Sequence, residues 1–213
     1  MKRSTTEPLI APDGSGLADT YVTILIFGPN GCGKTTVAEQ LAHFYVRGTN
    51  VRGKAWAIDP NGAFEKSEEV KSLWDHKLQE EGVDVMLMDC RRWGPGLLIF
   101  DDADAYIRFS TRIQRNALTS NRHQQKDQIV IARRPQGIPK DAIASAKAVF
   151  LFAGSLTEVG ARDYLEGVFP EEILNAVPKT EHHYLKIVRS GAKWSYERGK
   201  TAPRKIRTAG DKS

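Results

Sequence analysis

One stretch constrains this chain more than any other: Gly28-Pro29-Asn30-Gly31-Cys32-Gly33-Lys34-Thr35-Thr36. It follows an apolar, β-prone run over 22–27 and precedes Val37-Ala38-Glu39-Gln40-Leu41-Ala42. Strand, glycine-rich turn and helix in that order make G-x-x-x-x-G-K-[ST] a phosphate site. Glycines let backbone N–H groups converge on phosphate oxygens with no Cβ in the way. A helix starting near Gly33 adds unpaired N–H groups and the positive end of its dipole. At this spacing Lys34 is expected to reach the β- and γ-phosphates, and the Thr35 hydroxyl to bind Mg²⁺. Gly28 to Thr36 therefore forms the expected nucleotide-binding loop.

With 213 residues, 40% of them apolar, the chain is expected to be one domain with a sizeable core. No apolar run approaches the ~20 residues of a membrane span, and Met1-Lys2-Arg3 leads into polar residues, unlike a signal peptide. The cysteines, Cys32 and Cys90, have no metal or redox spacing. A disulfide at Cys32 would block the loop, so a reducing, cytosolic compartment is expected. The net charge of +5 is localised: from 193 onward Lys193, Arg198, Lys200, Arg204, Lys205, Arg207 and Lys212 face only Glu197 and Asp211.

Residues 1–20, with Pro8, Pro12, Gly14 and Gly16, read as a flexible leader. The P-loop domain is expected over 21–198 and a basic, disordered tail over 199–213. Strands are predicted at 21–27, 54–58, 83–88, 97–102, 128–132 and 148–152. Helices are predicted from the loop to about 45, then at 65–80, 103–119, 140–146, 156–167 and 170–176. A hairpin joins 184–189 to 193–197. Alternating strands and helices give an α/β fold with a mainly parallel central sheet covered on both faces.

A P-loop needs an acid on a nearby strand to hold Mg²⁺. Asp59 ends the predicted strand at 54–58; Asp101 and Asp102 end the more apolar Leu97-Leu98-Ile99-Phe100. The first choice places the acid beside the loop strand, as in kinases and GTPases. The second puts a strand between them, as in motors, and is favoured by its apolar run and paired acids. Asp101 is then expected to help hold Mg²⁺ and Asp102 to activate water as a general base. Asp102 is alternatively a helix N-cap, for which Asp104 is the better candidate.

Arg108, Arg112 and Arg115 share one face of the predicted helix after the acids, and Arg122, Arg133 and Arg134 follow. This is a solvated basic face, a subunit interface or a DNA-facing surface. Arg122 is the preferred arginine to act on a neighbouring subunit's phosphates. Arg133 ends the strand at 128–132 on the ligand side of the sheet; it either senses the γ-phosphate or pairs with an acid. Gln136 is a weaker sensor candidate. His182 and His183 are expected on the surface, and Trp56, Trp74, Trp93 and Trp194 in packing, with Trp93 open to stacking on a base.

Taken together, Gly28–Thr36, Ala57-Ile58-Asp59-Pro60, Leu97–Asp102, Asn121-Arg122-His123, Ile129–Pro135 and Ala148–Phe152 resemble the FtsK–HerA superfamily of DNA-pumping ATPases. The similarity spans about 20–190 and is greatest to the small genome-packaging ATPases of internal-membrane-containing viruses. It implies a RecA-like core of the ASCE type, Mg²⁺-dependent ATP hydrolysis, homo-oligomeric rings, hexameric or similar, and translocation of double-stranded DNA into a preformed capsid. It also implies a place in the host cytoplasm or with the virion, and docking to a capsid vertex or membrane through the tails or other proteins. One departure stands out: Arg133 occupies the position where larger members carry a polar Gln. A DNA-transfer or phage-export motor, a small-molecule kinase and a nucleotide-gated DNA-binding protein are the competing expectations.

Overall fold

A strand that is apolar at every position needs cover on both of its faces. The computed structural model describes residues 21–48, 54–73, 80–90, 94–107, 111–119, 126–191 and 193–201. It assembles such strands into the middle of one eight-stranded sheet. β1 (Thr23–Phe27), β2 (Ala55–Ile58), β4 (Gly96–Phe100), β5 (Lys126–Ala132) and β6 (Ala148–Phe152) are buried throughout. β3 (Val70–Ser72) flanks them on one side; β7 (His183–Ser190) and β8 (Lys193–Lys200) flank them on the other. The order is β3-β2-β4-β5-β1-β6-β7-β8. Pairing from β3 to β6 is parallel, and β7 and β8 close the sheet as an antiparallel hairpin.

One face carries α1 (Lys34–Gly48), whose Val37, Ala38, Ala42 and Tyr45 pack with Ile24, Ile26, Ile99, Ile129 and Ile131. Tyr45 Oη also donates to Asp127 Oδ2 at 2.9 Å, while Val22 N donates to Oδ1 at 2.8 Å, tying α1 and the start of β1 to β5. The opposite face carries α2 (Glu80–Cys90), α3 (Ala103–Tyr106), α4 (Arg112–Thr119), α5 (Lys140–Ser145), α6 (Ala161–Glu166) and α7 (Glu171–Asn175). This is the predicted P-loop ATPase architecture: a mainly parallel sheet between helices, ending in a β-hairpin. Among the described residues no helix is long and apolar enough to cross a membrane.

Four elements differ from expectation. The strand predicted at 83–88 is the helix α2, in which Val83, Met86 and Leu87 are buried at helical spacing while Val85 and Met88 are exposed. Over its described part, 65–73, the helix predicted at 65–80 gives way to a turn and β3. There Ser67 Oγ accepts from Glu69 N and Val70 N, and Val70 pairs with Ala55. The helix predicted at 103–119 is two helices. Ile107 adopts an extended backbone that ends α3, and Thr111 Oγ1 accepts from Gln114 N, capping α4. Arg112 and Arg115 therefore share no continuous helix with the segment after Asp102, and Arg108 lies outside the described residues, as does the side chain of Arg115. Finally, β8 runs on through Gly199 and Lys200, which sequence assigns to the tail, and Thr201 beyond it is buried.

Candidate nucleotide site

The P-loop spans the end of β1 and the start of α1, as the sequence predicts. Gly31 and Gly33 have φ of +77° and +105°, a region that side-chain-bearing residues rarely adopt. Gly28 is required for a different reason. A Cβ there would lie 2.7 Å from Phe152 Cβ and 2.8 Å from Cys32 Sγ. Pro29, Asn30 and Gly31 are exposed, Cys32 is buried, and Thr35 and Thr36 are half-buried in the first turn of α1. Burial pushes the Cys32 thiol up, so its sulfur is a packing group rather than a nucleophile.

Lys34 is buried, and its Nζ donates to Gly28 O at 2.8 Å and Pro29 O at 2.9 Å. Burial lowers its pKa, while its interactions with Cys32 and with the carboxylates of Asp102, Asp101 and Asp104 oppose that shift. The three carboxylates and the loop lysine thus share one electrostatic neighbourhood.

Topology separates the two acid candidates. β5 lies between β1 and β4, so the strand that ends in Asp101 is one removed from the P-loop strand, and β2 with Asp59 is further out. Asp59 is buried and engaged by its own turn. Its Oδ1 accepts from Ala63 N at 2.9 Å and its Oδ2 from Phe64 N at 2.6 Å. Asp101 is also buried, and burial, followed by repulsion from Asp59 and Asp102, raises its pKa to about 6.

Asp102 stands at the N-cap of α3 but makes no side-chain cap bond, and its backbone is left-handed at φ 53°, ψ 42°. Such a conformation costs on the order of 1–2 kcal/mol in a residue with a Cβ. Its carboxylate turns to two neighbouring loops: Asn61 Nδ2 donates to Oδ2 at 3.4 Å, and Arg133 Nε pairs with Oδ1 at 3.4 Å. Asn61 had no assigned role in the sequence; its one signal is the Pro60-Asn61-Gly62 turn after β2. Asp104 is not a cap either. Its two oxygens accept from Arg133 N at 3.0 Å and Arg134 N at 3.3 Å, fixing the chain where it leaves β5.

Arg134 pairs with Glu158 at 2.6 Å, and Gln136 Nε2 donates to Val159 O at 3.1 Å, so both brace the loop after β6. Arg122 and Trp93 lie outside the described residues, as does Trp74. Trp56 is buried, and Trp194 packs edge-on against Phe169 with centroids 5.0 Å apart. His182 departs from the expected surface placement: it is half-buried, at φ 61°, with a buried Nδ1 that has no hydrogen-bond partner.

Residues 24–149 match the family model "ATPase family associated with various cellular activities (AAA)". The chain belongs to this AAA family. Its fold is that of B204, the DNA-packaging ATPase of Sulfolobus turreted icosahedral virus, at TM-score 0.64 and 14% identity over 84% of this chain and 97% of that one. The B204 genome-packaging NTPase of Sulfolobus turreted icosahedral virus 2, in complex with ATP-γS, superposes at TM-score 0.63 and 14% identical residues, covering 87% and 97%. Thermomonospora curvata EccC (ATPases 2 and 3) gives TM-score 0.59 and 13% identity over 87% of this chain and 37% of that one. No curated protein sequence matches the chain. AAA membership accounts for the P-loop and makes the site one for ATP.

Proposed function

We propose that this AAA ATPase is an ATP-hydrolysing motor that moves double-stranded DNA, with viral genome packaging into a preformed capsid as its task. The observation that carries the proposal is the placement of Asp101 and Asp102 at the end of β4, separated from β1 by β5, with Arg133 just past the end of that intervening strand. The motor branch of P-loop enzymes needs that spacing, and a kinase built on Asp59 does not. The engagement of both Asp59 oxygens by backbone amides further disfavours the kinase alternative. The likeness to B204 over nearly its whole length supports packaging over DNA transfer or phage export.

The residues present fit Mg²⁺-ATP. Gly31 and Gly33 hold the left-handed backbone that turns amides toward phosphate, and Asp101 lies in an excess of negative charge that a cation would relieve. Among the described residues no group of three or more His, Cys, Asp or Glu would hold a metal alone. That suits Mg²⁺, which commonly takes one or two protein groups together with substrate phosphates. Thr35 and Asp101 would hold it, and it would neutralise charge on the phosphoryl group being transferred.

Lys34 swings from its own loop carbonyls to the β- and γ-phosphates. Asp102 orients a water and takes its proton. Arg133, released from Asp102, senses the γ-phosphate, and Arg122 acts on a neighbouring protomer's site. The working form is a ring of identical subunits in the host cytoplasm, docked at a capsid vertex or membrane.

The deciding experiment measures phosphate release with and without linear duplex DNA, alongside displacement of a third strand bound to that duplex. Stimulation together with displacement is expected. ATP binding with neither effect would overturn the motor assignment.

A further inference from the structure

Thr201, just past β8, lies against the nucleotide loop. β8 runs antiparallel to β7 and carries Thr201 onto the P-loop: a Cβ at Gly33 would lie 2.5 Å from Thr201 Oγ1, 3.1 Å from its Cβ and 3.3 Å from its Cγ2. All three side-chain atoms thus crowd one glycine. Thr201 is only 6% exposed. Its backbone N and its Oγ1 both donate to His182 O, at 2.8 and 3.3 Å.

The carbonyl that holds it belongs to a strained residue, since His182 is one of two non-glycine residues with positive φ among those described; the other is Asp102. Tyr184 secures the same end of the hairpin. Its ring covers Gly199, where a Cβ would lie 2.4 Å from Cζ, and rests on Phe150 and Phe152 at centroid distances of 5.3 and 5.2 Å. Phe152 is in turn the wall against which Gly28 fits. The hairpin therefore bears on the P-loop at two places: indirectly at Gly28, where Tyr184 backs Phe152 of β6, and at Gly33 through Thr201, which follows β8.

We propose that Thr201 is a positioning residue for nucleotide binding, holding the Gly33 end of the P-loop in its phosphate-binding shape. The physical need is clear. Glycines give the loop its φ > 0 geometry and also let it relax to many others. Amides held in place before the phosphate arrives bind it more tightly than amides that must be ordered on binding. Thr201 fills the space into which the loop would relax, and it does so by shape. His182 O keeps the Thr201 backbone N–H whether or not the hydroxyl is present, so the bulk of the branched side chain, Oγ1 and Cγ2 together, is the part that matters. The proposal rests on the P-loop binding ATP.

The test compares Thr201→Ala, Thr201→Val and wild type in the full chain. It reads affinity for ATP-γS, KM and kcat for ATP, and nucleotide-free melting. Thr201→Ala is expected to weaken ATP-γS binding and raise KM on the order of tenfold, the range for losing about 1.4 kcal/mol of packed contact, with kcat within about twofold of wild type. Thr201→Val keeps the shape and is expected to bind like wild type. A residue that only stabilised the hairpin would instead lower melting in Thr201→Ala and leave affinity unchanged, which overturns the proposal. Weak binding in Thr201→Val overturns it too, because the hydroxyl would then be the active part. If Thr201→Ala does not fold, Thr201→Ser replaces it; a smaller rise in KM supports the proposal and unchanged affinity overturns it. Failure of wild type to bind ATP-γS would instead strike the ATP-site assignment itself.

Discussion

Arg133, at the end of β5, reaches over to Asp102, at the end of β4, with Nε 3.4 Å from Oδ1. The arginine's backbone is fixed independently by Asp104, so only its side chain is free to leave. An arginine poised between a carboxylate and a phosphate site has two alternative anionic partners. Replacing it is expected to remove the phosphate-side partner without disturbing the fold. Arg133→Ala should lower ATP turnover about 10²-fold, the range for losing one preorganised donor. Arg133→Lys should not restore it, since an ammonium lacks the planar fork. Steady-state phosphate release checks both, and normal turnover in Arg133→Ala would remove it from the site.

Asp102→Asn is an informative substitution because asparagine tolerates the left-handed backbone that Asp102 adopts at φ 53°. Melting should stay near wild type and ATP binding should persist. Hydrolysis should fall 10²-fold or more, as for loss of a general base. A drop in melting temperature equal to that of an unfolding variant would assign Asp102 a structural role instead.

Asp59→Asn should show the reverse pattern. Asp59 accepts two backbone N–H bonds, from Ala63 and Phe64, and an asparagine offers one oxygen and one N–H₂ in the same place. One buried amide is left without an acceptor, at a cost of about 1–3 kcal/mol. Chemical denaturation should register that loss while turnover of the folded fraction changes little. A greater effect on turnover than that of Asp102→Asn would return Asp59 to the metal site.

Lys34→Ala is expected to abolish measurable turnover, since Lys34 is the loop's only cation in the sequence from Gly28 to Thr36. Lys34 Nζ also holds Gly28 O and Pro29 O, so the variant should loosen the empty loop. Calorimetric titration with ATP and amide hydrogen exchange across 28–36 read the two consequences separately.

Asp101 makes stability depend on pH in a direction unusual for an aspartate. Its pKa rises from 3.8 to about 6 on folding, so between those values the folded chain binds more protons than the unfolded one. Stability must then fall as pH rises through that window, by a total on the order of 2–3 kcal/mol. Asp101→Asn removes the penalty. Without nucleotide or divalent cation, the variant should match wild type near pH 4, gain on it up to about pH 6 and keep a constant lead above that. Denaturant midpoints across pH measure this, and a lead that shrinks as pH rises would contradict it.

The P-loop, the acid pair and the central strands were legible because each leaves a local mark. Leu97 to Phe100, Ile129 to Ala132 and Ala148 to Phe152 are unbroken apolar runs, which is how strands covered on both faces must look. The Val83 to Met88 segment, broken only by Asp84, resembles them over so short a distance. Its helical pattern shows only once Val85 and Met88 are seen to face outward. The cap expected at Asp104 fails for another reason, and the same reason hides what holds Asp59. Their partners are backbone amides, and every residue but proline offers one. Asn61 and Thr201 reach the site from distant segments, and nothing near them in the chain announces it.

The order of strands also bears on how the chain is made. β1 sits between β5 and β6, and Val22 and Asp127, which meet at its start, are 105 positions apart. During synthesis Thr23 to Phe27 therefore emerges long before either neighbour exists. An apolar strand waiting that long, with both edges unpaired, is a site for wrong association, and its long-range closure is slow. Truncations ending before β5 should be insoluble or chaperone-bound, and the P-loop should acquire its shape only after the last strand has left the ribosome.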